Sequence, residues 1–201
     1  MSDDPTHVQE FFSARAADWD TRFPDDGPAY AAAVADLGLR AGDRVLDAGC
    51  GTGRALPPLR GAVGPSGTVL GVDLTLAMLQ AAVRAGRDHA GLLVLADVAA
   101  LPLATGSLDA VFAAGLVAHL PDPAANLREL ARVVRPSGSL ALFHPIGRAA
   151  LAARQGRQIT PADLRAEANL GPLLGRSGWR MTSYADEDDR FLALAVREET
   201  A

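Results

Sequence analysis

Three glycines at alternate positions, Gly49, Gly51 and Gly53, follow the aliphatic pair Val45-Leu46 and the carboxylate of Asp47. Glycines so spaced let the backbone take positive φ and approach a ligand closely, while the N–H groups of a following helix meet its polar atoms. Alone, such a run can be no more than a tight strand-to-helix turn. A second carboxylate, Asp73, ends another aliphatic run 20 positions beyond Gly53, the place where an acidic residue meets a ribose in doubly wound folds. The plainer reading of Asp73, as of Asp97 after the third aliphatic run, is a helix cap or a solvated loop carboxylate. For proton transfer the best candidate is His119, within Gly115-Leu116-Val117-Ala118-His119-Leu120-Pro121-Asp122, which is either a base at a ligand edge or a packing histidine. His144, ending the fifth aliphatic run, is the second choice. His7 and His89 read as surface residues, and Cys50 as a small buried filler with nothing nearby to make it a reactive thiolate.

Composition bounds what these groups can serve. A chain of 201 residues with 49% hydrophobic and 21% charged residues should fold as one domain with a substantial core. Aromatics are only 5%, so that core must be aliphatic, as in helices layered on a sheet. All 19 basic residues are arginine, which removes amine nucleophiles and P-loop lysines, and with them pyridoxal-phosphate enzymes and Walker-type hydrolases. A net charge of -5 with scattered arginines lacks the electrostatic footprint of a nucleic-acid binder. The single cysteine precludes an internal disulfide and a cysteine zinc site, and suits a reducing, cytoplasmic setting. The acidic start Met1-Ser2-Asp3-Asp4-Pro5, and the interruption of Leu92 to Leu120 by Asp97, Pro102, Ser107 and Asp109, predict neither a signal peptide nor a membrane association.

The elements that must position the site alternate in type. Short aliphatic runs predict strands at Arg44 to Ala48, Thr68 to Asp73, Leu92 to Ala96, Leu108 to Ala113 and Ser139 to His144. Helical spacing falls between them at Gly53 to Val63, Thr75 to Ala85 and Pro123 to Val134, with Thr75 as cap and Gly86 as stop. This alternation implies a doubly wound α/β fold. Further on, Thr160-Pro161-Ala162-Asp163 looks like a capping box opening a helix to about Arg176. Trp179 to Tyr184 and Phe191 to Arg197 then read as a hairpin around the acidic turn Ala185 to Asp189.

With the motifs in place, the chain resembles the class I S-adenosylmethionine-dependent methyltransferases, particularly the small-molecule branch that includes ubiquinone and menaquinone biosynthesis enzymes. The resemblance rests on four blocks in order: Asp47 to Gly53, Gly71-Val72-Asp73-Leu74-Thr75 with Met78-Leu79, Ala96-Asp97-Val98 before Leu101-Pro102, and Leu130 to Gly138. It covers most of the chain. The implied fold is a Rossmann-like, doubly wound, seven-stranded α/β sheet, mostly parallel with an antiparallel C-terminal strand, in three α/β/α layers. The cofactor it implies is S-adenosylmethionine, leaving as S-adenosylhomocysteine. Carried over, Gly49, Gly51 and Gly53 hold the methionine end, with Asp47 supporting the turn and the amino group. Asp73 binds the ribose hydroxyls, Leu74 and Met78 face the adenine unless they simply pack, and Asp97 and the Val98 N–H meet the adenine edge. Gly115 lies on the cofactor side where relatives commonly carry a polar residue.

Residues Phe11 to Phe23 look like that family's mobile cover, with Arg22 either pairing with the methionine carboxylate or standing free on the surface, and Trp19 lining the cofactor or anchoring the segment. Expected organisation is a single domain: residues 1-40 a helical cover, 41-145 the cofactor core, and 146-201 a short acceptor-side insertion, helix and hairpin. The implied activity is metal-independent methyl transfer to an O, N or C atom of a small molecule, with His119 as the base where one is needed. A catalytically silent cofactor-binding regulatory or assembly module is the alternative, and a nicotinamide dehydrogenase is disfavoured by the glycine spacing. The acceptor, and whether the chain pairs as a homodimer, are not legible.

Overall fold

The computed structural model describes residues 5–22 and 26–199; Met1 to Asp4 and Phe23, included in the readings above, lie outside the described residues. Seven strands form one sheet: β1 (Arg44–Ala48), β2 (Thr68–Asp73), β3 (Leu92–Leu95), β4 (Leu108–Ala114), β5 (Val134–His144), β6 (Trp179–Glu187) and β7 (Arg190–Arg197). Their spatial order is β3-β2-β1-β4-β5-β7-β6. β1 pairs in parallel with β2 and β4, β2 with β3, and β4 with β5, while β7 runs antiparallel to both β5 and β6. The Rossmann-like, doubly wound sheet expected from the sequence is thus the sheet observed.

Central parallel strands are covered on both faces, so they read as unbroken aliphatic runs rather than alternating ones. In β1, Val45 and Leu46 are fully buried on opposite faces, one in each of two core clusters. The first cluster packs α6 (Pro123–Val133) and α8 (Glu167–Gly175) on the sheet; the second packs α3 (Gly27–Asp36) and α4 (Leu56–Val63). The remaining helices are α1 (Pro5–Ser13), α2 (Trp19–Arg22), α5 (Leu76–Arg84) and α7 (Arg148–Arg154). No helix among the described residues is long and apolar enough to cross a membrane.

Four expected boundaries move, one of them the hairpin turn expected at Ala185 to Asp189, which narrows to Asp188 and Asp189 because β6 stays paired with β7 as far as Glu187. Regular helix starts at Leu56, not Gly53, because Pro57 and Pro58 lack N–H donors and fit only a first turn, and residues 51–55 coil as a turn ahead of it. β5 starts at Val134, five residues before the expected Ser139, and passes Ser137 at φ 59° through a register shift against β4. A Cβ at Gly138 would crowd Asp109 O at 2.6 Å, which is why that kink carries glycine. The helix expected from Pro161 begins only at Glu167, because Asp163 is engaged otherwise: its carboxylate accepts from Arg165 N (2.9 Å) and pairs with Arg165 and Arg148.

Candidate active site

In open α/β sheets the ligand crevice opens at the carboxyl ends of the strands where the winding reverses, here between β1 and β4. A cavity of about 1090 Å³ lies there. Along it stand Asp47 and Gly49 from the end of β1, Asp73 from β2, Asp97 and Val98 after β3, Gly115 after β4 and His144 from β5.

The turn after β1 is held from beneath by β2. Gly49 N and Cys50 N both donate to Val72 O, at 2.8 and 2.9 Å, and Gly49, Gly51 and Gly53 take φ of 69°, 53° and 78°. A Cβ on Gly49 would meet Leu116 Cδ1 at 2.9 Å, whereas one on Gly51 would meet nothing within 4 Å. Gly51 is therefore needed for its conformation, with open cavity in front of it. Gly53 corrects the sequence reading: it does not line the cavity, and a Cβ there would press on Leu56 Cδ1 (2.9 Å) and Ala82 Cβ (3.3 Å). Its service is the close packing of the turn on α4 and α5, not contact with a ligand.

The two strand-end carboxylates differ. Asp73 ties the loops together, Oδ2 accepting from Gly51 N (2.8 Å) and Oδ1 from Thr75 N (2.7 Å). Burial raises its pKa, and these hydrogen bonds offset part of the rise. Asp47 is 1% exposed, and neither of its oxygens has a hydrogen-bond partner. Burial, with repulsion from Asp73 added, pushes its carboxyl up to about 8. A buried polar group without a partner is costly, so both oxygens are poised for a donor from the cavity. Asp97 caps its own turn, Oδ1 accepting from Ala99 N at 2.8 Å. Leu74 and Met78 line the same end, Met78 buried in doing so.

The N-terminal helices lie across the mouth. Gln9 Nε2 on α1 donates to Leu74 O (2.9 Å), and Phe12 meets Trp19 at 5.5 Å and, edge-on, His119 at 5.1 Å between ring centroids. Asp20 on α2 is the clamp, accepting from Thr52 Oγ1 (2.7 Å), Arg54 Nε (3.1 Å) and Arg87 Nη1 (2.6 Å). Burial works against ionisation of Asp20, but bonds from Thr52, Arg54 and Arg87 outweigh it and hold its pKa below the usual carboxylate range. Trp19 and Arg22 both line the cavity, Arg22 exposed at its rim. Sequence reasoning missed Tyr30 and Arg54. Tyr30 lines the cavity while packing on Phe143 at 5.1 Å, and burial beside Asp47 raises its phenol. Arg54 is locked by Asp20 and by Asp26 at 3.2 Å. Acidic residues before an invisible long-range partner carry no local signal.

His119, exposed in a 3-10 turn, and His144, half-buried, line the opposite side. His144 Nδ1 lies 2.9 Å from Ile146 O and 3.1 Å from Ile146 N, which fixes the ring. Burial lowers its pKa, so the imidazole is neutral near pH 7.

Residues 46–142 match a family model described as a methyltransferase domain. Over 110 residues the chain is 38% identical to 27-O-demethylrifamycin SV methyltransferase of Amycolatopsis mediterranei, covering 53% of this chain and 40% of that protein. It is 36% identical over 104 residues to demethylmenaquinone methyltransferase of Staphylococcus aureus, covering 51% and 43%. The chain thus spans less than half the length of these curated relatives. Its fold is that of the magnesium protoporphyrin IX methyltransferase of Synechocystis PCC 6803, solved with S-adenosylmethionine bound: TM-score 0.72 and 21% identity, covering 97% of both chains. Residues 46–142 are thus similar in sequence to a methyltransferase domain, and the chain shares the fold of a methyltransferase solved with S-adenosylmethionine bound.

Proposed function

We propose that this chain transfers the methyl group of S-adenosylmethionine to an O, N or C atom of a small molecule, without a metal. One observation carries the reading: the unpartnered, buried carboxylate of Asp47 beside an open glycine turn, in line with Asp73 and Asp97 along one cavity wall. That set fits a ligand with an ammonium group, two hydroxyls and a purine edge. Bound there, S-adenosylmethionine supplies an already activated methyl group. The chain's own work is to hold and enclose. Gly49 and Gly51 admit the amino-acid end, Asp47 accepts from the ammonium, and Arg22 pairs with its carboxylate. Asp73 accepts from the ribose hydroxyls, Asp97 and Val98 meet the adenine between Leu74 and Met78, and Gly115 leaves room opposite. Trp19 and Phe12 exclude water from above. His119 takes a proton from the acceptor where one must leave, with the fixed ring of His144 as the second candidate.

Similarity to the demethylrifamycin and demethylmenaquinone methyltransferases supports a small organic acceptor. A silent binding module would have no use for the open space around His119 and His144. A labelled-methyl transfer assay against cell extract, followed by mass identification of the labelled species, tests the proposal. A labelled compound of low mass whose formation stops in His119→Ala and not in His7→Ala supports it; no label transfer from a chain that binds the cofactor supports the silent module.

A further inference from the structure

The cavity exceeds the roughly 300–1,000 Å³ of an ordinary single-ligand pocket, and its two ends differ in charge. The end at β1 to β3 is acidic. Beyond β5, the wall formed by α7 and the segment after it brings Arg148, Arg154 and Arg157 to the cavity, with Arg165 across from them. Two of these are neutralised: Arg148 Nε lies 2.9 Å from Asp186 Oδ2, and Arg165 Nη2 lies 3.2 Å from Asp163 Oδ2. Asp163 is shared by both, since Arg148 also reaches it at 3.6 Å. No carboxylate remains for the other two. Among the described residues Arg154 has no acidic partner, and the Arg157 guanidinium reaches only the neutral amide oxygen of Gln155. Burial first, and the nearby charges of Arg165, His119 and Arg154 with it, lower the His144 pKa against the bond to Ile146, so Arg154 acts on the same space as that ring. Arg154 and Arg157 are exposed, and the lining around them mixes Gln155, Gln158 and Thr160 with the apolar Ile146, Leu151 and Ile159, the last 43% exposed.

Resting on the methyltransferase reading, we infer that the acceptor is a hydrophobic organic acid, whose apolar body lies on Ile146, Leu151 and Ile159 and whose anionic group is anchored by Arg154 and Arg157. Guanidinium groups hold carboxylate or sulfonate oxygens through paired, charge-assisted bonds. The anchor fixes the acceptor's orientation and so determines which acceptors are accepted.

The test uses the full chain saturated with S-adenosylhomocysteine and two fluorescent probes of one shape, the anion anilinonaphthalene sulfonate and the neutral phenylnaphthylamine. The native chain is expected to bind the sulfonate at one site. Arg154→Ala/Arg157→Ala should weaken the sulfonate about tenfold, the loss of one good charge-assisted contact, and leave the neutral probe unchanged. Arg154→Lys/Arg157→Lys should retain most of the sulfonate affinity. S-adenosylhomocysteine affinity, measured by calorimetry, should be the same in all three chains, which shows that the variants fold. Sulfonate binding that is absent from the native chain, indifferent to the alanine pair, or lost in step with the neutral probe overturns the anion anchor while the cofactor reading stands. Failure of S-adenosylhomocysteine to bind the native chain, with the probe difference intact, overturns the cofactor reading instead.

Discussion

Asp47 and Asp73 end neighbouring strands and face one cavity, yet only Asp73 has donors of its own. With its carboxyl at about 8 and the unfolded value near 3.9, Asp47 binds a proton in the folded chain that it does not bind in the unfolded one between those limits. More protons on the folded side means that stability of the ligand-free chain falls as pH rises from about 4 to about 8. An ammonium group arriving at Asp47 favours the ionised form, so S-adenosylmethionine binding at pH 7 should release a proton. Titration calorimetry in buffers of different ionisation heat should show that release, and Asp47→Asn should abolish it. A buffer-independent heat in the native chain would mean that Asp47 does not meet the ammonium. For Asp73, loss of hydrogen bonds to a charged acceptor predicts that Asp73→Ala weakens the cofactor by about 1.5–3 kcal/mol, and unchanged affinity would reduce it to a loop tie. At this scale the sequence made Asp47, Asp73 and Asp97 legible because strand ends and spacing are local. Gly53 was misassigned because its neighbours Leu56 and Ala82 belong to packed helices, and spacing alone does not say which side of a turn faces a ligand.

The helical cover depends on Asp20. Its depressed pKa means that the clamp is fully present above the unfolded carboxylate value near 4 and is lost as pH falls through the lower folded value. Asp20→Ala leaves Arg54 and Arg87 without this partner, and amides of residues 5–22 should then exchange with solvent faster while the sheet keeps its protection. Undiminished protection of that segment would show that Phe12 and Trp19 alone hold it down. In the native chain the same amides should gain protection when S-adenosylmethionine binds beneath them. At the other side of the cavity Gly147 precedes α7, where a Cβ would strike Glu187 O of the hairpin. Gly147→Ala should therefore lower stability by about 1–3 kcal/mol, the usual cost of overpacking, read as a lower denaturant midpoint. The late start of α8 was not legible, because Thr160-Pro161-Ala162-Asp163 satisfies local capping rules while Asp163 is bonded to Arg148, 15 residues earlier in the chain.

Across the whole molecule, the winding of the sheet was legible because strands buried on both faces need unbroken aliphatic runs, and the two-stranded ending needs only a short turn where most earlier connections carry a helix. The basic segment with Arg148, Arg154 and Arg157 was legible too, but not which of these arginines find carboxylates across the fold. Strand order places the reversal between β1 and β4, and Asp47, Gly49, Asp73, Asp97 and Gly115 line the cavity along the strands' carboxyl ends there. The most direct measurement is calorimetric titration of the full chain with S-adenosylmethionine and, separately, with NADH. The account predicts one micromolar-range S-adenosylmethionine site per chain, sensitive to Asp73→Ala, and no site for NADH. Tight NADH binding with no response to S-adenosylmethionine would contradict it.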